Sequence, residues 1–141
     1  MIHLPHMIKY ILVYLVAALV FCLLDFIWLT VLAKDFYRSQ IGSMMLEQPK
    51  LVPAAIFYVL YLSGLLIFAI IPALRAQSWP LALFLSALLG LIAYSTYDLS
   101  NLATLKGWST SLACIDIAWG TFVTGVAGTS AYFVGRFLTE R

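Results

Sequence analysis

Four apolar runs, at about residues 8–32, 53–74, 80–105 and 110–137, are each long enough to cross a bilayer, and three of them carry an aspartate in their interior. About 20 apolar residues make a spanning helix. Inside the hydrocarbon every backbone N–H and C=O must be satisfied within the segment, so such runs are expected to be helical. Composition agrees. Charged residues make up 10% of the chain and hydrophobic ones 64%, and mean hydropathy is +1.02, against roughly 25% charged residues in soluble domains. The expected fold is all-α: one integral membrane domain over residues 1–141, an antiparallel bundle of four transmembrane helices.

The first run follows Lys9 and has a superficial likeness to a secretory signal. Its length, Asp25, Trp28 and the lack of a small-residue cleavage site make it a retained span. Pro53 opens the second span and Ser78-Trp79-Pro80 the third, both suiting proline in a first helical turn. Gly107 and Ser109 mark the turn before the fourth. The links at 75–79 and 106–109 are so short that the helices they join must be antiparallel neighbours. The longer link at 33–52 sets Phe36, Tyr37, Ile41, Met44 and Met45 among Lys34, Asp35, Arg38, Gln40 and Glu47. That pattern predicts a short amphipathic helix at the interface, able to lid what lies beneath; the alternative is a simple continuation of span one.

The formal net charge of +2 is scattered, and no basic run tracks phosphates, so nucleic acid is set aside as a partner. Cys22 and Cys114 lie in apolar stretches with no CxxC pair or clustered histidine, which points to buried structural thiols and to no disulfide framework, metal site or cofactor. His3 and His6 are ordinary surface residues. Lys9, Arg75, Arg136 and Arg141 fall at the face that holds both termini (face A), and Lys34, Arg38, Lys50 and Lys106 at the other (face B), a tie that leaves orientation undetermined.

Depth is more informative. Asp25, Asp98 and Asp116 each lie about six or seven residues inside face B, roughly 9–11 Å at 1.5 Å per residue. Trp28, Tyr58, Tyr61, Tyr94, Tyr97, Asn101 and Trp119 fall in or beside the same layer. Spacings of three or four residues put Tyr94, Asp98 and Asn101 on one stripe, as they do Asp25 with Trp28, Tyr58 with Tyr61, and Asp116 with Trp119. A charge at the bilayer centre costs about 2.5–3.5 kcal/mol on insertion scales, so these groups are expected to face one another. Three carboxylates at one depth cannot all ionise cheaply, and at least one is expected to hold its proton at neutral pH. Ala82, Ser86 and Gly90, with Thr121/Gly125 and Thr124/Gly128, form small-xxx-small faces for close approach, within the bundle or across a homodimer seam. Tight packing low in span three and tyrosines higher up predict a taper that opens toward face B. Trp79 and Trp108 read as interfacial anchors.

The stretches LLDFIWL, FYVLYLSGLLIFAIIPAL, YSTYDLSNLATLKGW and DIAWGT, and above all YDLxN followed by DxxWG, resemble the uncharacterised bacterial membrane family known as domain of unknown function 2177. The resemblance runs over essentially the whole chain. It implies a compact four-helix protein of the bacterial cytoplasmic membrane and places Asp25, Trp28, Tyr58, Tyr61, Tyr97, Asp98, Asn101, Asp116, Trp119 and Gly120 at the family's motif positions. It implies no activity.

On the residues themselves, the ten side chains Asp25, Trp28, Tyr58, Tyr61, Tyr94, Tyr97, Asp98, Asn101, Asp116 and Trp119 are expected to form a pocket that binds or transports an amphipathic or cationic small molecule or a lipid. One alternative is a structural or partner-binding subunit whose polar groups lock the helices together. Another is acid/base catalysis on a lipid or quinone, though no Ser-His-Asp order, HExxH or Gly-rich loop is present. Membrane lipids are the expected surroundings, and transport by so small a bundle calls for a homodimer.

Overall fold

The computed structural model describes residues 5–140, so His3 and Arg141 lie outside it. The four runs fold as helices long and apolar enough to cross a membrane, His6–Leu32, Leu51–Ala76, Trp79–Thr104 and Thr110–Thr139. They are spans one to four of an all-helical protein. Span one is α1 (His6–Ile27), which widens into a π-helical turn over Trp28–Leu32. Ala33, at φ −116° and ψ 1°, breaks the path. Beyond the break the amphipathic segment forms α2 (Lys34–Ile41), a separate helix and not an extension of span one, followed by a 3-10 turn at Gly42–Met44.

Span two is α3 (Leu51–Leu65), a π-helical turn at Leu66–Ile70, and α4 (Ile71–Ala76). Pro72 accounts for that widening, because it has no N–H to offer the carbonyl of Phe68 one turn back and its ring crowds it. Gln77 closes α4 in the left-handed conformation (φ 53°). Span three, α5 (Trp79–Thr104), starts at once: the Ser78 hydroxyl accepts from the Leu81 N–H at 3.2 Å, with Pro80 in the first turn. Span four, α6 (Thr110–Thr139), starts the same way, Ser109 accepting from the Leu112 N–H at 3.0 Å after a turn in which Gly107 takes φ +82°.

Span four is the axis of the bundle. Of its most apolar stretch 56% is buried, against 22%, 28% and 17% for spans one, two and three. Span three lies along it through the small-residue stripe Ala82, Ser86 and Gly90, all fully buried or nearly so. Gly90 sits so close that a Cβ there would meet the Gly120 carbonyl at 2.4 Å, and a Cβ on Gly128 would fall 1.9 Å from the Ser86 hydroxyl. Gly125 faces Leu83 and Ala87. Both glycines that suit a dimer seam thus pack inside the protomer.

The apolar core (Phe21, Leu65, Ile70, Val123, Ala127 and their neighbours) fills the part of the bundle toward face A. Of α3 only Leu62 and Leu65 are buried, and its N-terminal half meets span one through Tyr58. Leu15, Leu19, Leu23, Phe26, Leu60 and Phe84 point outward, as helices solvated by lipid require. Cys22 and Cys114 do the same: both thiols are exposed, which corrects the expectation that they are buried. Apolar neighbours in sequence mark a lipid-facing stripe as readily as a core one. The inward positions here belong to Phe21 and Asp25 on α1 and to Leu112 and Ala113 on α6.

Gly90→Ala is expected to cost about 1–3 kcal/mol in reversible unfolding in detergent, because the clash is with backbone and cannot be relieved by a rotamer change. Gly125→Ala, where the new Cβ would sit 3.4 Å from the nearest Leu83 methyl, is expected to change stability little.

Candidate functional site

Four helices bring their face-B ends together around two polar nodes of different character. In the first, Asp25, 8% exposed, accepts from the Tyr58 hydroxyl at 2.5 Å and from the Trp119 indole N–H at 3.1 Å. Spans one, two and four thus meet at a single carboxyl. Phe21 packs edge-on to Tyr58 beneath it, and the Trp119 ring stacks on Trp28 with centroids 4.3 Å apart and planes 4° from parallel. Tyr61 shares a 2.8 Å hydrogen bond with Thr124 and meets the Tyr94 ring edge-on at 6.3 Å. Tyr94 lies over Gly120, where a Cβ would fall 2.1 Å from the ring, and within electrostatic reach of both Asp25 and Asp116.

The second node is Asp98 with Asp116. Asp98 is fully buried, faces the Asp116 carboxyl and the Trp108 indole, and makes no hydrogen bond through either oxygen among the described residues. The buried Trp108 N–H is likewise unpartnered. Asp116 accepts a short hydrogen bond from the Tyr37 hydroxyl of α2, and that oxygen in turn accepts from the Trp28 indole at 3.2 Å. The break at Ala33 makes this possible, folding α2 back so that Tyr37 reaches span four. A second tether joins the same elements, the Ser109 hydroxyl donating to the Gln40 side-chain carbonyl at 2.5 Å. Burial, then the bond to Asp116, push the Tyr37 phenol well above its ordinary value, so it stays a neutral donor through the physiological range.

A cavity of about 830 Å³ opens between α2 with its following loop and the ends of spans three and four. Its polar lining is Thr30, Lys34, Tyr37, Arg38, Glu47, Tyr97 and Asp116; Leu29, Ile41, Met45, Leu46 and Trp108 supply most of the rest. Tyr97, 55% exposed, meets the Trp108 ring edge-on at 5.6 Å, with Asn101 beside its hydroxyl. Of the ten candidate residues, Tyr97 and Asp116 line this cavity. Asp25, Trp28, Tyr58, Tyr61, Tyr94 and Trp119 form the packed network next to it, Asp98 stands behind Asp116, and Asn101 flanks Tyr97.

The sequence reading missed four contributors. Tyr37 and Trp108 looked like interfacial residues, and Lys34 and Arg38 like charges on the polar face of a surface helix. Only the i, i+3 and i, i+4 spacing of Lys34, Tyr37 and Arg38 signals that one face of α2 presents all three. Among the described residues no group of three or more His, Cys, Asp or Glu side chains is placed to hold a metal ion.

Fold and site together define a four-span, all-helical, multi-pass membrane protein. The chain belongs to the family described as predicted membrane protein (DUF2177), whose model matches residues 10–133 and so takes in every candidate residue. No curated protein and no solved structure matches it.

Alkaline pH is expected to release α2. Tyr37 has a raised folded-state value, so the stability it contributes is complete below the unfolded phenol's value of about 10 and declines above it. A spin label at Ser39 is expected to gain mobility as pH rises past about 10, and to be mobile at every pH in Tyr37→Phe. A label equally immobile in both proteins would contradict the tether.

Proposed function

We propose that the protein binds, and in an oligomer transports, an amphipathic or cationic small molecule or lipid in the cavity beneath α2, within the bacterial cytoplasmic membrane. The observation that carries this is the contrast between the two nodes. At Asp25 both carboxyl oxygens are satisfied by Tyr58 and Trp119. At Asp98 neither is, although the residue is fully buried. An orphaned buried polar group costs about 1–3 kcal/mol, and a charge in hydrocarbon more. A ligand cation or donor entering beside Asp116 would offset that cost. The cavity volume falls inside the range of about 300–1,000 Å³ typical of small-molecule sites, and the edge-to-face rings of Tyr97 and Trp108 offer an electron-rich wall beside the carboxyls.

The helix-locking reading is favoured at the other node. Asp25 with Tyr58, Trp119 and the Trp28 stack joins spans one, two and four and leaves no oxygen of the carboxyl free for a ligand. The two readings therefore divide between the aspartates.

Native mass spectrometry with lipid and metabolite identification on protein extracted from its own membrane tests this. Wild type is expected to carry a defined molecule that Asp98→Asn loses while melting within a few degrees of wild type, whereas Asp25→Asn is expected to unfold several degrees earlier. Bulk lipid alone on both wild type and Asp98→Asn would refute the binding site.

A further inference from the structure

The cavity is lined by charges of both signs. Lys34 and Arg38 stand one turn apart on the face of α2 that looks into it, flanking Tyr37. Neither side chain makes an ion pair or hydrogen bond among the described residues, where Arg136 with Glu140 is the one salt bridge. Asp116 lines the same space from span four, with the unpartnered Asp98 behind it, and Glu47 adds a second lining carboxylate. Two basic and two acidic residues thus line one space without touching across it.

Charges of both signs without ion-pair partners are poorly served by a simple cation, which would leave Lys34 and Arg38 unanswered. They are equally poorly served by a simple anion, which would do nothing for Asp98 and Asp116. Resting on the ligand reading above, we propose that the cavity takes the head group of a zwitterionic phospholipid, one bearing a phosphate and a primary ammonium. Lys34 and Arg38 hold the phosphate through charge-assisted hydrogen bonds. The ammonium lies against Asp116 and the Tyr97–Trp108 corner, and its N–H groups reach toward the buried carboxyl of Asp98. Its compactness and three donors suit that pocket. The acyl chains leave along Leu29, Met45 and Leu46, which are 48%, 47% and 61% exposed and continuous with the lipid-facing surface. That greasy exit is what favours a lipid over a water-soluble amino phosphate, whose polar body would have to lie against those side chains.

The assignment is tested by equilibrating the full-length protein in nanodiscs of equal phosphatidylethanolamine and phosphatidylglycerol. The lipids that remain after detergent release are then counted by native mass spectrometry, with dodecylamine and free phosphoethanolamine as competitors. Phosphatidylethanolamine is expected to be retained over phosphatidylglycerol. Lys34→Gln/Arg38→Gln, at two exposed positions, is expected to weaken that retention by about tenfold or more, since each charge-assisted bond is worth about 1.5–3 kcal/mol, at an unchanged melting temperature. Equal retention of the two lipids, or an undiminished preference in the double variant, would overturn the zwitterion assignment. Displacement by free phosphoethanolamine as effective as by the lipid would overturn the choice of a membrane source. Retention of dodecylamine alone, lost in Asp98→Asn, would keep a cationic-ligand site and refute this head group. Retention of nothing by wild type would refute both readings.

Discussion

Spans three and four approach until the backbone of one touches the other, with Gly90 against the Gly120 carbonyl and Ser86 against Gly128. In lipid no hydrophobic force drives helices together, so contact of this closeness is what holds such a pair. The rest of the bundle is arranged around it. Once span four is committed to span three, its other faces take Phe21 and Val13 of span one and the Leu65–Ala73 stretch of span two, and the apolar core forms toward face A. Above Gly120 the small residues give way to rings. Tyr94 occupies the space over that glycine, and α3 buries no residue before Leu62. The bundle is therefore tight where the side chains are small and apolar and open where they are large and polar.

That taper decides how each aspartate is accommodated. Asp25 sits where three helices still converge, so a phenol and an indole from neighbouring spans can reach its two oxygens. Asp116 takes its partner from α2 and not from span two. Asp98 is buried between span three and Asp116, with the Trp108 N–H facing it but making no hydrogen bond to it. The amphipathic helix is thus part of the same electrostatic problem as the spans. Without the break at Ala33 its Tyr37 would point along the membrane surface, and Asp116 would share Asp98's position.

Much of this architecture is legible in the residues. The four apolar runs announce four spans; the charged and aromatic residues after Ala33 suggest a short amphipathic helix but leave open a continuation of span one, which the break at Ala33 rules out. The small-residue stripe names the tightest interface, though only coordinates show that Gly125 and Gly128 are used within the protomer. Other features were hidden for identifiable reasons. Lipid and protein core are equally apolar, so a hydropathy pattern cannot tell the outward Cys22 from the inward Phe21 one residue away. The Trp28–Trp119 stack and the Tyr37–Asp116 bond join residues far apart in the chain, and their partners depend on how α2 turns back, which rests on a single non-helical residue. Trp108 shows the limit most plainly. A tryptophan at a membrane boundary is by default an anchor, and only the position of Tyr97 and Asp98 beside it makes it a wall of the cavity.

The same hydrogen bond that fastens α2 also sets the terms on which anything enters beneath it. Tyr37 donates to one oxygen of Asp116, and its own oxygen is already taken by the Trp28 N–H. On the proposed reading, an ammonium that approaches Asp116 either uses the remaining oxygen lone pairs, leaving α2 in place, or displaces the phenol and frees the helix that carries Lys34 and Arg38. The first route requires no rearrangement and adds a cation to a node whose unsatisfied groups are the two Asp98 oxygens and the Trp108 N–H. The second gives up a buried hydrogen bond and the Gln40–Ser109 tether as well. Because Asp98 contributes two oxygens that make no hydrogen bond among the described residues, the first route gains most from a ligand with several N–H donors on one centre. Accommodation beneath a closed α2 is therefore the arrangement that the hydrogen-bond inventory of this site favours.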